Sequence, residues 1–272
     1  MGSVFSPYYA FARRRGDVDP LNHCAINVAL YRPRGGRWAM TERPKHAVTR
    51  DADTFRVGPS ALHWDGTSLT IDIDEIAVPI PRRLRGRVRV TPSAITSTPF
   101  VLNENGHHRW WPIAPIARVE VAMQSPDLNW QGDGYLDHNA GDEPIETGFR
   151  DWQWARGATR DGAVILYEGE RRDGSVVNLA KTFDRDGQAH DVVPPAMKTL
   201  KRTGWRMSRS VRSEGDARVI KTLEDAPFYS RSVVSSRING EDVTLIHESL
   251  SLDRFKMPIV QAMLPFRMPR KI

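Results

Sequence analysis

Asp-Gly and Asn-Gly dipeptides punctuate this chain, and they limit its fold more than any other feature. They include Asp65-Gly66, Asp161-Gly162, Asp173-Gly174, Asp186-Gly187 and Asn239-Gly240, with Pro33-Arg34-Gly35-Gly36 as a further turn signal. Around them lie short apolar or alternating runs at 24–31, 37–41, 68–73, 87–91, 118–123, 163–168, 175–183 and 243–249. A two-residue hairpin turn requires φ > 0, which Asn, Asp and Gly tolerate, so the pattern predicts at least five tight hairpins and an all-β fold. Helical periodicity is weak outside the C-terminal region, which argues against alternating β/α units. Gly132-Asp133-Gly134 has neither the third glycine nor the following helix of a dinucleotide-binding turn.

A polar, turn-rich stretch at 92–106 separates two β-rich halves. The expected division is therefore a β-domain over 1–100 and a second over 101–272. The pattern Leu-x-Trp-x-Gly occurs at 62–66 and again at 128–132, as chance or a duplicated β-domain would both produce.

Charge and cysteine content narrow the function classes. The 39 Lys+Arg against 33 Asp+Glu leave a net charge of +6. The excess is scattered, as at Arg82, Arg83, Arg85, Arg87 and Arg89, and no nucleic-acid-reading motif accompanies it. A solvated surface is expected, with no nucleic-acid partner. The single cysteine, Cys24, excludes an internal disulfide and a Cys-based zinc site. No run approaches the roughly 18 apolar residues of a spanning helix, and no hydrophobic segment follows Arg13-Arg14-Arg15 as in a signal peptide. An integral membrane protein is not expected, and a cytoplasmic location is.

Five of the eight tryptophans, Trp110, Trp111, Trp130, Trp152 and Trp154, lie between residues 107 and 154, together with His107, His108, Tyr135, Asp137, His138 and Asn139. On strands, side chains two apart share a face. His108 would then point with Trp110, Tyr135 with Asp137 and Asn139, and Trp152 with Trp154. Such a set either lines one cavity or forms the core and rim of a barrel. A carboxyl group among indoles is poorly solvated, which raises its pKa and favours the neutral acid. Facing electron-rich rings, that acid suits protonation of an alkene, with the carbocation held by cation–π attraction.

Other chemistries lack their signatures. There is no Gly-x-Ser-x-Gly elbow and no His-Glu-x-x-His helix. His247 and Glu248 are adjacent on an expected strand and so point to opposite faces, which makes a shared metal site improbable. Asp142 and Glu143 read as loop residues.

The segment Gly134-Tyr135-Leu136-Asp137-His138-Asn139-Ala140-Gly141-Asp142-Glu143-Pro144, followed by Phe149-Arg150-Asp151-Trp152-Gln153-Trp154, closely resembles the carotenoid 1,2-hydratases, or hydroxyneurosporene synthases, of phototrophic bacteria. The resemblance covers essentially the whole chain. It includes the opening residues Gly2 to Ala10, Trp38 to Arg43, His108 to Pro112, Thr222 to Tyr229 and His247 to Phe255. It implies two successive lipocalin-like β-domains with a short C-terminal helix or tail, and a hydro-lyase without cofactor or metal. Such an enzyme adds water to the terminal 1,2 double bond of acyclic carotenes such as neurosporene and lycopene.

The resemblance implies catalytic roles for His108, Trp110, Tyr135 and Asp137. Asp137 would protonate C2, Trp110 and Tyr135 would face the cation at C1, and His108 would either hydrogen-bond Asp137 or orient the attacking water. Trp152, Trp154 and Asn139 are expected to bind substrate. A bilayer-dwelling substrate implies peripheral association with the inner or photosynthetic membrane, with the apolar and basic segment 255–271 as a docking candidate, although its interior prolines argue against a long helix. Two rival expectations are a non-catalytic carotenoid or lipid carrier and a pericyclase of the same fold.

Overall fold

A computed structural model describes residues 4–17, 19–33 and 35–271. Gly2 and Ser3 of the opening motif and Arg34 of the first turn lie outside the described residues. Two compact units interleave along the chain: Met1–Thr91 with Arg118–Gly134 and Gln261–Ile272, and Pro92–Ala117 with Tyr135–Val260. Residue 100, where the sequence suggested a boundary, falls inside the second unit. There the stretch 92–106 is anchored: Phe100 and Val101 pair with Trp110 and Arg109. Both Leu-x-Trp-x-Gly copies lie in the first unit, so they do not mark equivalent places in two domains.

Helix α1 (Pro7–Arg13) opens the first unit and is capped by Ser6, whose hydroxyl accepts the Tyr9 N–H. The hairpin β1 (Asn27–Leu30) and β2 (Arg37–Met40) follows. An antiparallel meander comes next: β3 (Val48–Arg50), β4 (Thr54–Val57), β5 (Ser60–Trp64), β6 (Leu69–Ala77) and β7 (Arg82–Pro92). After the short β8 (Phe100–Val101), the long β9 (His108–Ser125) and β10 (Asp127–Gly141) complete the sheet in the order β10-β9-β7-β6-β5-β4-β3.

Alternation decides the faces of this sheet. On β7, Leu84 and Val90 are buried, while Arg83, Arg85, Arg87 and Arg89 point outward. Arg83 and Arg87 pair across to Asp74 and Asp72 of β6, so the basic run is a solvated, ion-paired face. The inner face joins Leu84 to Ala39, Ile73, Ala77, Val121 and Met123. Gly86 lets the Met123 backbone close in; a Cβ there would lie 2.5 Å from the Met123 Cα.

In the second unit, the single-turn helix α2 (Ile145–Gly148) precedes β11 (Phe149–Ala158), β12 (Gly162–Arg171), β13 (Val176–Asp184) and β14 (Ala189–Asp191). Then come the hairpin β15 (Met197–Leu200) and β16 (Arg209–Arg212), and β17 (Arg218–Asp225), β18 (Tyr229–Ile238) and β19 (Glu241–Ser251). The sheet order is β14-β13-β12-β11-β19-β18-β17. One face carries Ala155, Val164, Leu166, Ala180, Val234 and Leu245, packed with Leu200 and Val211 of the β15–β16 hairpin. Each of the five signals named above stands between paired strands, and Asn239 and Gly240 adopt φ of 51° and 74°.

The chain ends in α3 (Leu252–Phe255) and α4 (Pro258–Arg267). The interior prolines do not prevent α4: Pro258 opens it and Pro265 lies inside its last turn. The architecture is thus all-β and antiparallel with short C-terminal helices, the expected class.

Candidate active site

The second unit carries the site on the face of its sheet opposite the aliphatic core. Pairing register builds it. Trp154 of β11 stands directly across from Tyr167 of β12 on one side and from Glu248 of β19 on the other. Cross-strand partners share a face, so the three form a row over adjacent strands. Trp152 shares that face two residues away.

Asp137 is the chemical centre. Its Oδ2 accepts from Trp110 Nε1 at 3.1 Å and from Asn139 Nδ2 at 3.2 Å, and the Tyr135 hydroxyl also bonds to the carboxylate. The Trp110 N–H is shared with the Tyr135 oxygen at 3.0 Å. Alternation along β10 and β9 puts these groups together, as the two-residue spacing predicted. Burial pushes the Asp137 carboxyl up to about 6, and the charge of Glu248 adds to the rise. The bonds from Tyr135, Trp110 and Asn139 favour the ionised form and limit it. Asp137 is therefore poised between its two forms near neutral pH, rather than locked as the neutral acid. Burial raises Tyr135 and Tyr167 far above the usual phenol range, and the charge of Asp137 raises both further.

Aromatic rings surround the carboxyl. Trp110 is fully buried, stacked on Phe100 at 5.3 Å and tilted against Tyr167 at 5.6 Å. Trp154 packs on Tyr135 at 5.3 Å, and its buried indole N–H has no hydrogen-bond partner. Trp152 touches Tyr167 and Phe149. The other tryptophans of the sequence cluster lie elsewhere. Trp111, next to Trp110, turns away and bonds to Thr96, and Trp130 is about half exposed, in the first unit.

His108 makes its side-chain hydrogen bond with Glu143 rather than with Asp137: Nε2–H donates to Glu143 Oε1 at 3.1 Å. The direct His108–Asp137 bond, one of the two expected roles, is absent among the described residues, because the loop after β10 supplies another carboxylate. The imidazole fits only because residues 141 and 148 are glycines; a Cβ at either would lie within 2.9 Å of a ring nitrogen. Burial lowers the His108 pKa and Glu143 opposes that effect. The adjacent Asp142 takes a two-point contact from Arg109, so both loop carboxylates clamp the start of β9.

Sequence reasoning missed Tyr167, Glu248, Phe149, Phe100 and Glu143. Tyr167 sat inside an apolar run, and Glu248 was weighed only as a neighbour of His247. The two do face opposite ways: His247 bonds to the Ser210 carbonyl inside the core, where burial lowers it to about 4, while Glu248 pairs with Arg231.

A half-buried carboxyl among aromatic rings on an antiparallel all-β scaffold is an arrangement suited to acid–base chemistry on an apolar, electron-rich substrate. The chain belongs to the carotenoid hydratase CrtC family, which it matches over residues 1–272. It is 54% identical to the acyclic carotenoid 1,2-hydratase of Thiocapsa roseopersicina, over 99% of this chain and 67% of that protein. It is 48% identical to the enzyme of the same name from Rubrivivax gelatinosus, over 100% of this chain and 68% of that protein. Among solved structures it is similar to an AttH protein from Nitrosomonas europaea. The TM-score is 0.55 at 12% identity, covering 79% of this chain and 76% of that one, a likeness of fold alone.

Proposed function

We propose that this chain adds water across the terminal C1=C2 bond of an acyclic carotene such as neurosporene or lycopene, with Asp137 as the acid. The carrying observation is a half-buried carboxyl that, among the described residues, bonds to the uncharged donors Trp110, Tyr135 and Asn139 and is held at about 6, so that it can both give and regain a proton near neutral pH. The π electrons of the alkene take the Asp137 proton at C2, leaving a tertiary cation at C1. Trp110 and Tyr135 present electron-rich rings to that charge. The water oxygen bonds to C1, and its surplus proton returns to the Asp137 carboxylate. Atoms balance as alkene plus water to tertiary alcohol. The addition is redox-neutral, so the scheme needs no cofactor. His108, held by Glu143, is assigned to orienting the water, and Trp152 and Trp154 to walling the polyene. Asn139 acts on Asp137 directly.

The test is incubation of purified protein with lycopene or neurosporene in liposomes, read by mass spectrometry for the gain of one water. Wild type should yield product, and Asp137→Asn should lose at least about a thousandfold in rate, within the usual contribution of a general acid. Substantial turnover by the variant overturns the acid assignment. Binding without product supports the carrier instead.

The same substrate supports a chain that works in the cytoplasm against a membrane surface. On α4, Ile259, Met263 and Phe266 recur at helical spacing and are exposed, Phe266 at 81%, while Val260 and Leu264 face inward. Exposed Lys256, Arg267 and Lys271 flank this stripe and suit an anionic leaflet. Flotation with liposomes containing anionic lipid should fall for Met263→Gln/Phe266→Gln, which leaves the buried side of the helix intact. Unchanged flotation rejects this docking surface.

A further inference from the structure

We propose that Glu248, held by Arg231, is a positioning residue that keeps the catalytic proton on Asp137. This inference rests on the hydratase reading and deepens it.

Four observations carry it. Glu248 lies on the site face, directly across from Trp154, whose ring packs on Tyr135 beside Asp137. Of the side chains that set the acidity of Asp137, it is the charged one; Tyr135, Trp110 and Asn139 are neutral donors. Tyr167, in the same row, feels the charges of both Asp137 and Glu248, so the phenol lies within the field of the two carboxylates. Finally, Arg231 of β18 stands opposite Glu248 in the ladder, and its Nε donates to Glu248 Oε1 at 2.9 Å.

The groups facing Asp137 are thus Tyr135 and Asn139 on its own strand, Trp110 on β9, Trp154 on β11, Tyr167 on β12, and the Glu248–Arg231 pair from β19 and β18. Among these described groups, Glu248 and its partner Arg231 are the charged ones. Like charges near one site repel, so the carboxylate of Glu248, bound to a guanidinium, disfavours the ionised form of Asp137, which bonds to neutral donors. Arg231 also limits the effect, because its positive charge offsets part of the field from Glu248.

This predicts shifts of opposite sign from the two halves of the pair. The donor must be protonated, so the rate of hydration falls as pH rises through its titration. Glu248→Gln removes the negative charge and leaves Arg231 unbalanced, which should move that fall to lower pH. At pH 7 the variant should lose roughly three- to tenfold in kcat/KM, and it should regain most of this at pH 5. Arg231→Met should move the fall to higher pH, so that activity at pH 8 rises relative to pH 6. A structural disturbance would scale both profiles without displacing them. Profiles that stay in place for both variants overturn the proposal.

Infrared difference titration of the carboxyl band, assigned with Asp137→Asn, measures the same shifts without turnover. A chain that hydrates nothing would therefore still answer this question, separately from the hydratase reading. If Glu248→Gln does not fold, the Arg231→Met shift alone decides, and no shift refutes.

Discussion

Glu42 and Glu75 of the first unit and Asp137 of the second are carboxylates with different partners, and the difference separates a staple from the proposed acid. In the first unit, Glu75 is 1% exposed and bonds to Arg43 Nη2 at 2.8 Å and to the Ser60 hydroxyl at 2.8 Å. Glu42, equally buried, takes bonds from Ser6, His23 and Arg270, and so ties residues near both ends of the chain to β2. The arginine is built in closely: Gly58, at φ +60°, would place a Cβ 2.2 Å from Arg43 Nε. In the second unit, Asp137 has three bonds but no guanidinium. A buried carboxylate beside a cation is a fixed charge, whereas one beside neutral donors can lose its charge at modest cost.

The largest effect expected from this contrast is the loss of turnover in Asp137→Asn. Next comes Arg43→Met, which puts Glu75 into the situation of Asp137 without the aromatic site around it. Removing one partner of a buried pair strands the other, so unfolding free energy in urea should fall by about 3–5 kcal/mol. A fall under about 1 kcal/mol would show that Ser60 alone satisfies Glu75 and would erase the distinction.

The smallest effect sharpens the comparison most. The folded Asp137 holds its proton more tightly than the unfolded chain does. Its ionisation therefore costs stability, by nothing below about pH 4 and by about 2–3 kcal/mol once pH passes its folded value of about 6. Asp137→Asn removes this cost, so its stability relative to wild type should grow by that amount between pH 4 and pH 8. Denaturant titrations at the two pH values check it. A constant difference would mean that Asp137 ionises as freely in the fold as outside it.

The hairpins were legible in the sequence because a two-residue turn is a local event. Asn239-Gly240 is such a turn, with φ > 0 at both residues; Gly66, Gly174 and Gly187 alone are left-handed in their four-residue connections, and Gly162 is not, yet each short connection brings its flanking strands into pairing. The grouping of Tyr135 with Asp137, His108 with Trp110 and Trp152 with Trp154 was legible for the same reason, since alternation is a property of one strand. The helix at 258–267 was harder to see, because its two prolines weaken helix propensity while burial of Val260, Leu264 and Met268 offsets that weakness.

Sequence alone therefore determined the all-β class, the hairpin positions, the family and the strand faces that Tyr135 shares with Asp137 and His108 with Trp110. Only the tertiary structure decided which separate segments meet. Glu143 reaches His108 across 35 positions, and Trp154 brings Glu248 alongside from 94 positions away. Interleaving of the two units likewise escaped any single boundary, because β9 and β10 each supply residues to both. Periodicity encodes which face a residue occupies. It carries no information about which strand lies next to it, and the acidity of Asp137 depends on those neighbours.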